Sequence, residues 1–211
     1  MWGLADGVRL VVAPVGALRA DRRRLTPTEL EVMAGLGHVQ ARRADWIRGR
    51  LLVRTLLPAS AGVVVAPGGA PRLVEGDHAV SISHEPGWIA AAVRPGVGAR
   101  LAIDLTLPRE RPRIARALQR LGVACDVAPE AAWAALECAL KLTQAPFEAL
   151  LGGGLAVLAC RRTTGRHRGR DRDRDADRTP AAMVHGLGAP LRVQLFAGRG
   201  YLVACCTGAE A

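Results

Sequence analysis

Apolar positions along the chain recur in two rhythms, and each predicts a kind of element. Short apolar or alternating runs bounded by turn residues predict strands at VRLVVAPV (8–15), GVVVA (62–66), AVSISH (79–84), WIAAAV (88–93), ARLAIDL (99–105), LAVLAC (155–160), LRVQLF (191–196) and YLVACCT (201–207). Helical spacing predicts four helices. Thr26-Pro27-Thr28-Glu29 has the spacing of a capping box with Pro at the first helical position, opening a helix that reaches about Leu36. A longer helix covers 39–57, ended by Pro58, with Val39, Trp46, Val53 and Leu57 available for burial. Two more cover 109–121 and 129–143.

EPG (85–87) folds AVSISH back onto WIAAAV, and LRVQLF with YLVACCT closes the chain as a second hairpin. The two align without a gap, Val80, Ile82, Gly87, Trp88 and Ala91 matching Val193, Leu195, Gly200, Tyr201 and Ala204. Any two hairpins with equal loops share such a pattern. The alternative is a pseudo-duplicated α+β fold: two similar α/β halves with antiparallel sheets, related by a pseudo-two-fold, with a cofactor cleft between them. On that reading the halves are 1–98 and 99–211, with an Arg/Asp-rich insertion at 161–180.

Charge changes this picture little. Of the net +10, residues 161–178 carry eight Arg and four Asp, so +4 belongs to one low-complexity tract and +6 to the rest. The balance suits acidic partners. Nucleic acid is not expected, because the tract interleaves Asp and has no aromatic side chain for base stacking. The five cysteines form no C-x-x-C pair and no zinc-ligand spacing with His. No apolar run approaches the ~18 residues of a membrane span, so a cytoplasmic chain without a membrane partner is expected.

Candidate chemistry gathers at four places. Trp133, Glu137 and Lys141 recur every four residues, on one face of the helix over 129–143. Lys141 is the chain's single lysine; the other 28 of 29 basic residues are arginines. An ordinary solvated ion pair is the simpler reading of that stripe. Asp104 closes an apolar strand and either caps a turn or faces a site; with Glu137 it could hold Mg²⁺. His84 follows Ser81 and Ser83 and is either structural or a phosphate contact. Arg42, Arg50 and Arg54 fall near one side of their helix, as a solvated basic face or as guanidinium forks for phosphate.

SISH (81–84), then a returning strand, then AIDL (102–105), then W-x-x-x-E-x-x-x-K (133–141) resembles the 4′-phosphopantetheinyl transferases. The likeness is greatest to the pseudo-duplicated, single-chain surfactin- and enterobactin-type enzymes. RADWIRGR (43–50), preceded by Arg42, is similar to their R-x-x-E-[FY]-x-x-[GA]-R pattern, and GGAP (68–71) to their G-K-P segment. The order and spacing match over roughly 25–145.

The resemblance implies a Mg²⁺-dependent enzyme that moves 4′-phosphopantetheine from coenzyme A to a serine of an acyl- or peptidyl-carrier protein, releasing 3′,5′-ADP. It implies Asp104 and Glu137 as metal ligands, with Glu137 also a base toward that serine, directly or through water. Lys141 would neutralise phosphate charge as 3′,5′-ADP leaves. Ser83 and His84 would bind coenzyme A, His84 contacting phosphate, and Arg42 and Arg50 would grip the 3′-phosphate. An internally duplicated chain implies a monomer. Three positions depart from the family pattern: Thr106 where a third acidic ligand is common, Leu136 where a lysine is common, and Ala102 for glycine. They leave as alternative a catalytically impaired paralogue that binds coenzyme A or a carrier protein.

Overall fold

Why Thr26 starts a helix is visible in its hydrogen bonds. In the computed structural model the Thr26 amide donates to the Glu29 carboxylate at 2.8 Å, and the Glu29 amide donates to the Thr26 hydroxyl at 3.3 Å. This reciprocal pair is the capping box, with Pro27 at the first position of α1 (Pro27–Gly35). Glu29 goes further. It is fully buried, accepts the Val63 amide at 2.9 Å, and pairs with the Arg54 guanidinium.

The structure describes residues 2–4, 7–35, 40–57, 62–65, 70–160 and 180–208, without the side chains of 2, 3 and 40–42. The Arg/Asp tract, Pro58 and the first two residues of GGAP lie outside them. The fold is mixed α+β, with two sheets and few helices. Compact packing divides the chain into Met1–Leu105 with Thr207–Ala211, and Thr106–Cys206. Residues 99–105, grouped above with the C-terminal half, thus pack with the first unit.

In the first unit, the strands β1 (Trp2–Gly3), β2 (Arg9–Pro14), β3 (Val63–Val65), β4 (Pro71–Leu73), β5 (His78–Glu85) and β6 (Trp88–Pro95) form one antiparallel sheet, in the order β1-β2-β6-β5-β4-β3. The helix α2 (Gln40–Val53) lies on one face of it. Because side chains alternate along a strand, Val80 and Ile82 of β5 and Ile89, Ala91 and Val93 of β6 turn toward α2, where they pack with Leu52 and Val53. The opposite face carries Ser81, Ser83, Ala90 and Ala92, all buried. There the strand β7 (Arg100–Thr106) is held by the serine hydroxyls.

The second unit contains α3 (Arg111–Arg120) and α4 (Pro129–Thr143), with β8 (Ala124–Cys125), β9 (Ala156–Ala159), β10 (Ala181–His185), β11 (Leu191–Gly198) and, as far as Cys206, β12 (Tyr201–Gly208). Its strands run β12-β11-β10-β9-β8, antiparallel except for β8 with β9. α4 packs on β9, β10 and β11 and against α3. Alanines at 131, 132, 134, 135 and 139 favour the helix and are small enough for close approach from several sides. The single left-handed non-glycine residue described, Gln144 (φ 56), ends it. Cys205 and Cys206 are buried, unbridged core residues. A hydrogen bond from Cys138 of α4 holds the Cys206 thiol below its ordinary range, against burial.

Adding 113 to the bounds of β5 and β6 gives the bounds of β11 and β12. The registers agree too: Val80 faces Val93 as Val193 faces Cys206. Gly87 (φ 93) and Gly200 (φ 84) close the two turns in a conformation that suits glycine.

Candidate functional site

α4 presents its motif residues on one seam. From Glu130 to Leu142 every side chain is buried except Trp133 and Glu137, which are half-buried, and Lys141, which is exposed. The i, i+4 spacing therefore leads to one accessible line on an otherwise enclosed helix. Trp133 meets Phe147 with ring centroids 6.3 Å apart, tilted at 59°. Leu136 turns into the core and is wholly buried. At the start of the helix Glu130 pairs with Arg111. Burial pushes the Glu130 pKa up, but the Arg111 hydrogen bonds and charge outweigh it, leaving the pKa below the usual carboxylate value.

In the first unit the structure brings Ser83 and Asp104 together. The Ser83 hydroxyl accepts the Leu105 amide at 3.0 Å and donates to Asp104 Oδ1 at 3.2 Å. Ser81 accepts the Ile103 amide at 3.0 Å. Asp104 is 3 % exposed and Thr106 is also buried. Residues two apart on a strand are ~6.6 Å apart, so serines at 81 and 83 match amides at 103 and 105 in step.

His84 lies on the other face of β5 and is exposed. Its Nε2 is 3.1 Å from the Asp45 carbonyl of α2. Gly49 makes this approach possible: a Cβ there would stand 3.1 Å from His84 Nε2 and 3.0 Å from Ile82 Cγ2. The next residue, Arg50, is only 4 % exposed. Its guanidinium stacks 3.6 Å from the Trp46 ring centroid, and its Nε is buried without a hydrogen-bond partner. Burial lowers its pKa to about 10, opposed by the charge of Glu29, so it remains a cation at neutral pH. Arg54, the third basic residue of that row, is committed to Glu29. Arg42 belongs to α2, but its side chain lies outside the described residues.

Sequence reasoning missed the roles of Gly49 and Ser81. Gly49 stands at the [GA] position of the α2 pattern, and the S-x-S spacing is that of alternate amides along a strand; both signals are in the sequence. Among the described residues no three His, Cys, Asp or Glu side chains form a metal-holding group. By donor chemistry alone, the carboxylates of Asp104 in the first unit and Glu137 in the second, like the Thr106 hydroxyl, are oxygen ligands of the kind a hard cation takes. A cavity of about 590 Å³ in the first unit is lined by Thr26, Leu57, Val74, Glu75 and His78 among others, and by no described site residue. Neither a protein-family model nor a curated protein matches the chain. Among the described residues no helix is long and apolar enough to cross a membrane.

Proposed function

We propose that this chain is a 4′-phosphopantetheinyl transferase acting in the cytoplasm as a monomer, on coenzyme A and an acyl- or peptidyl-carrier protein. The observation that carries the reading is the seam of α4. Between Glu130 and Leu142 the side chains left accessible are an indole, a carboxylate and the chain's one ammonium, in the family's order and spacing. Two similar halves, related by a pseudo-two-fold with the coenzyme A cleft between them, belong to the same reading. The coinciding hairpins, and the strand order β6-β5-β4-β3 beside β12-β11-β10-β9, support it.

In this account Glu137 takes the proton from the carrier serine, directly or through water, as the serine oxygen attacks the β-phosphorus of coenzyme A. The bond from that phosphorus to the leaving 3′,5′-ADP oxygen breaks. Lys141, a compact charge on a flexible stem at an exposed position, offsets the phosphate charge on the departing group. His84, near the C-terminal end of β5, contacts phosphate. Arg50 adds its charge from α2, and Arg42 lies eight residues, about two turns, earlier in that helix. Asp104 and Glu137 would hold Mg²⁺, which when bound neutralises pyrophosphate charge.

The test follows 3′,5′-ADP release from coenzyme A by chromatography, with Mg²⁺ and an apo carrier protein. Release is expected from the unsubstituted chain and lost in Glu137→Gln. Tight coenzyme A binding with no release across several carriers would instead identify a binding module.

A further inference from the structure

We infer that Ser83 is a positioning residue that aims the Asp104 carboxylate, and that Ser81, two residues away, is its structural twin without that task. The inference rests on the reading of Asp104 as a Mg²⁺ ligand. Both serines lie on the face of β5 turned toward β7, and both are buried. Each accepts one backbone amide at 3.0 Å, Ser81 from Ile103 and Ser83 from Leu105. A buried amide left without an acceptor costs stability, so the two hydroxyls do equal structural work.

They differ in the hydroxyl proton. Ser83 donates its proton to Asp104 Oδ1 at 3.2 Å. Because the Leu105 amide already fixes the oxygen, the donor direction is set rather than free to rotate. A carboxylate that is 3 % exposed has lost water as its partner and needs fixed donors. A hydroxyl anchored to the very strand that carries the carboxylate holds one oxygen in place. This orients the group toward a ligand, as outer partners of metal-binding carboxylates do. The Ser83 hydroxyl is thereby spent within the first unit instead of being turned to coenzyme A phosphate.

The test compares Ser81→Ala, Ser83→Ala and Ser83→Thr in the full chain. Mn²⁺, a paramagnetic stand-in for Mg²⁺, is titrated with coenzyme A present and followed by electron paramagnetic resonance; thermal unfolding runs alongside. Both alanine variants are expected to lower the unfolding midpoint by similar amounts. Only Ser83→Ala is expected to weaken Mn²⁺ binding, by about 10-fold or more, with Ser83→Thr restoring it. If Ser83→Ala fails to fold, Ser83→Cys, close in size and a weak donor, takes its place with the same expectation. Equal Mn²⁺ affinity in the unsubstituted chain and the Ser83 variant would overturn this inference alone. Equal weakening in Ser81→Ala and Ser83→Ala would overturn it too. An unsubstituted chain that binds no Mn²⁺ would overturn both this inference and the functional reading beneath it.

Discussion

The hairpins β5–β6 and β11–β12 share length, register and turn glycine, yet only the first carries the expected chemistry. Where the first has Ser81, Ser83 and His84, the second has Gln194, Phe196 and Ala197 at the same register. Phe196 is buried and Ala197 exposed without a functional group. The pairing geometry needs only apolar alternation and a glycine turn, which two unlike sequences satisfy. The proposed site needs particular atoms, and of the two hairpins only β5–β6 carries them.

The strongest challenge to this contrast is at the proposed metal ligands. Asp104→Asn and Glu137→Gln are each expected to reduce phosphopantetheine transfer by about 10³-fold or more, measured as initial rate of carrier modification. Phe196→Leu should leave the rate within about twofold, since a volume-tolerant apolar exchange in the second hairpin costs stability alone. A comparable loss of rate in that variant would remove the asymmetry.

The next effect is on stability. Glu29→Ala leaves Arg54 buried without its carboxylate and strips acceptors from Thr26 and Val63, so a loss of about 3–5 kcal/mol is expected in urea unfolding. A loss below about 1 kcal/mol would show that the first unit does not depend on this charged hub. His84→Ala, third in size, should weaken coenzyme A binding about 10-fold, the scale of a hydrogen bond to a charged group. Ala197→Ser, its counterpart, should not change binding by calorimetry. Smallest is Arg111→Ala. The Glu130 pKa lies below its unfolded value, so the pair stabilises above the unfolded carboxylate pKa and its contribution fades as pH falls through the folded value. The variant should therefore unfold at lower denaturant than the parent near pH 7, with the gap closing under acid. A gap that widens on acidification would refute the pairing.

Much of the fold was legible because local rules agreed with tertiary packing. The capping box at Thr26–Glu29 and the span 129–143 appear as read, and the strands over 88–93 and 201–207 extend by only one or two residues. The long helix stops at Val53 rather than 57, where the chain turns and Leu56 and Leu57 still enter the core. β10 escaped notice: AAMVH (181–185) has small residues and no strong alternation, yet it is paired on both sides by β9 and β11. Of the site, the 133-137-141 seam was readable from spacing alone. That Arg50 is enclosed against Trp46, and that Ser83 serves Asp104, depends on which face each element buries, which periodicity does not fix for a polar residue.

The most direct test of the central claim is the intact mass of an apo carrier protein after incubation with this chain, coenzyme A and Mg²⁺. One added phosphopantetheine on the carrier serine, absent with Glu137→Gln, is the expected result. An unchanged carrier mass across several carrier proteins, with the chain folded and coenzyme A bound, would contradict it.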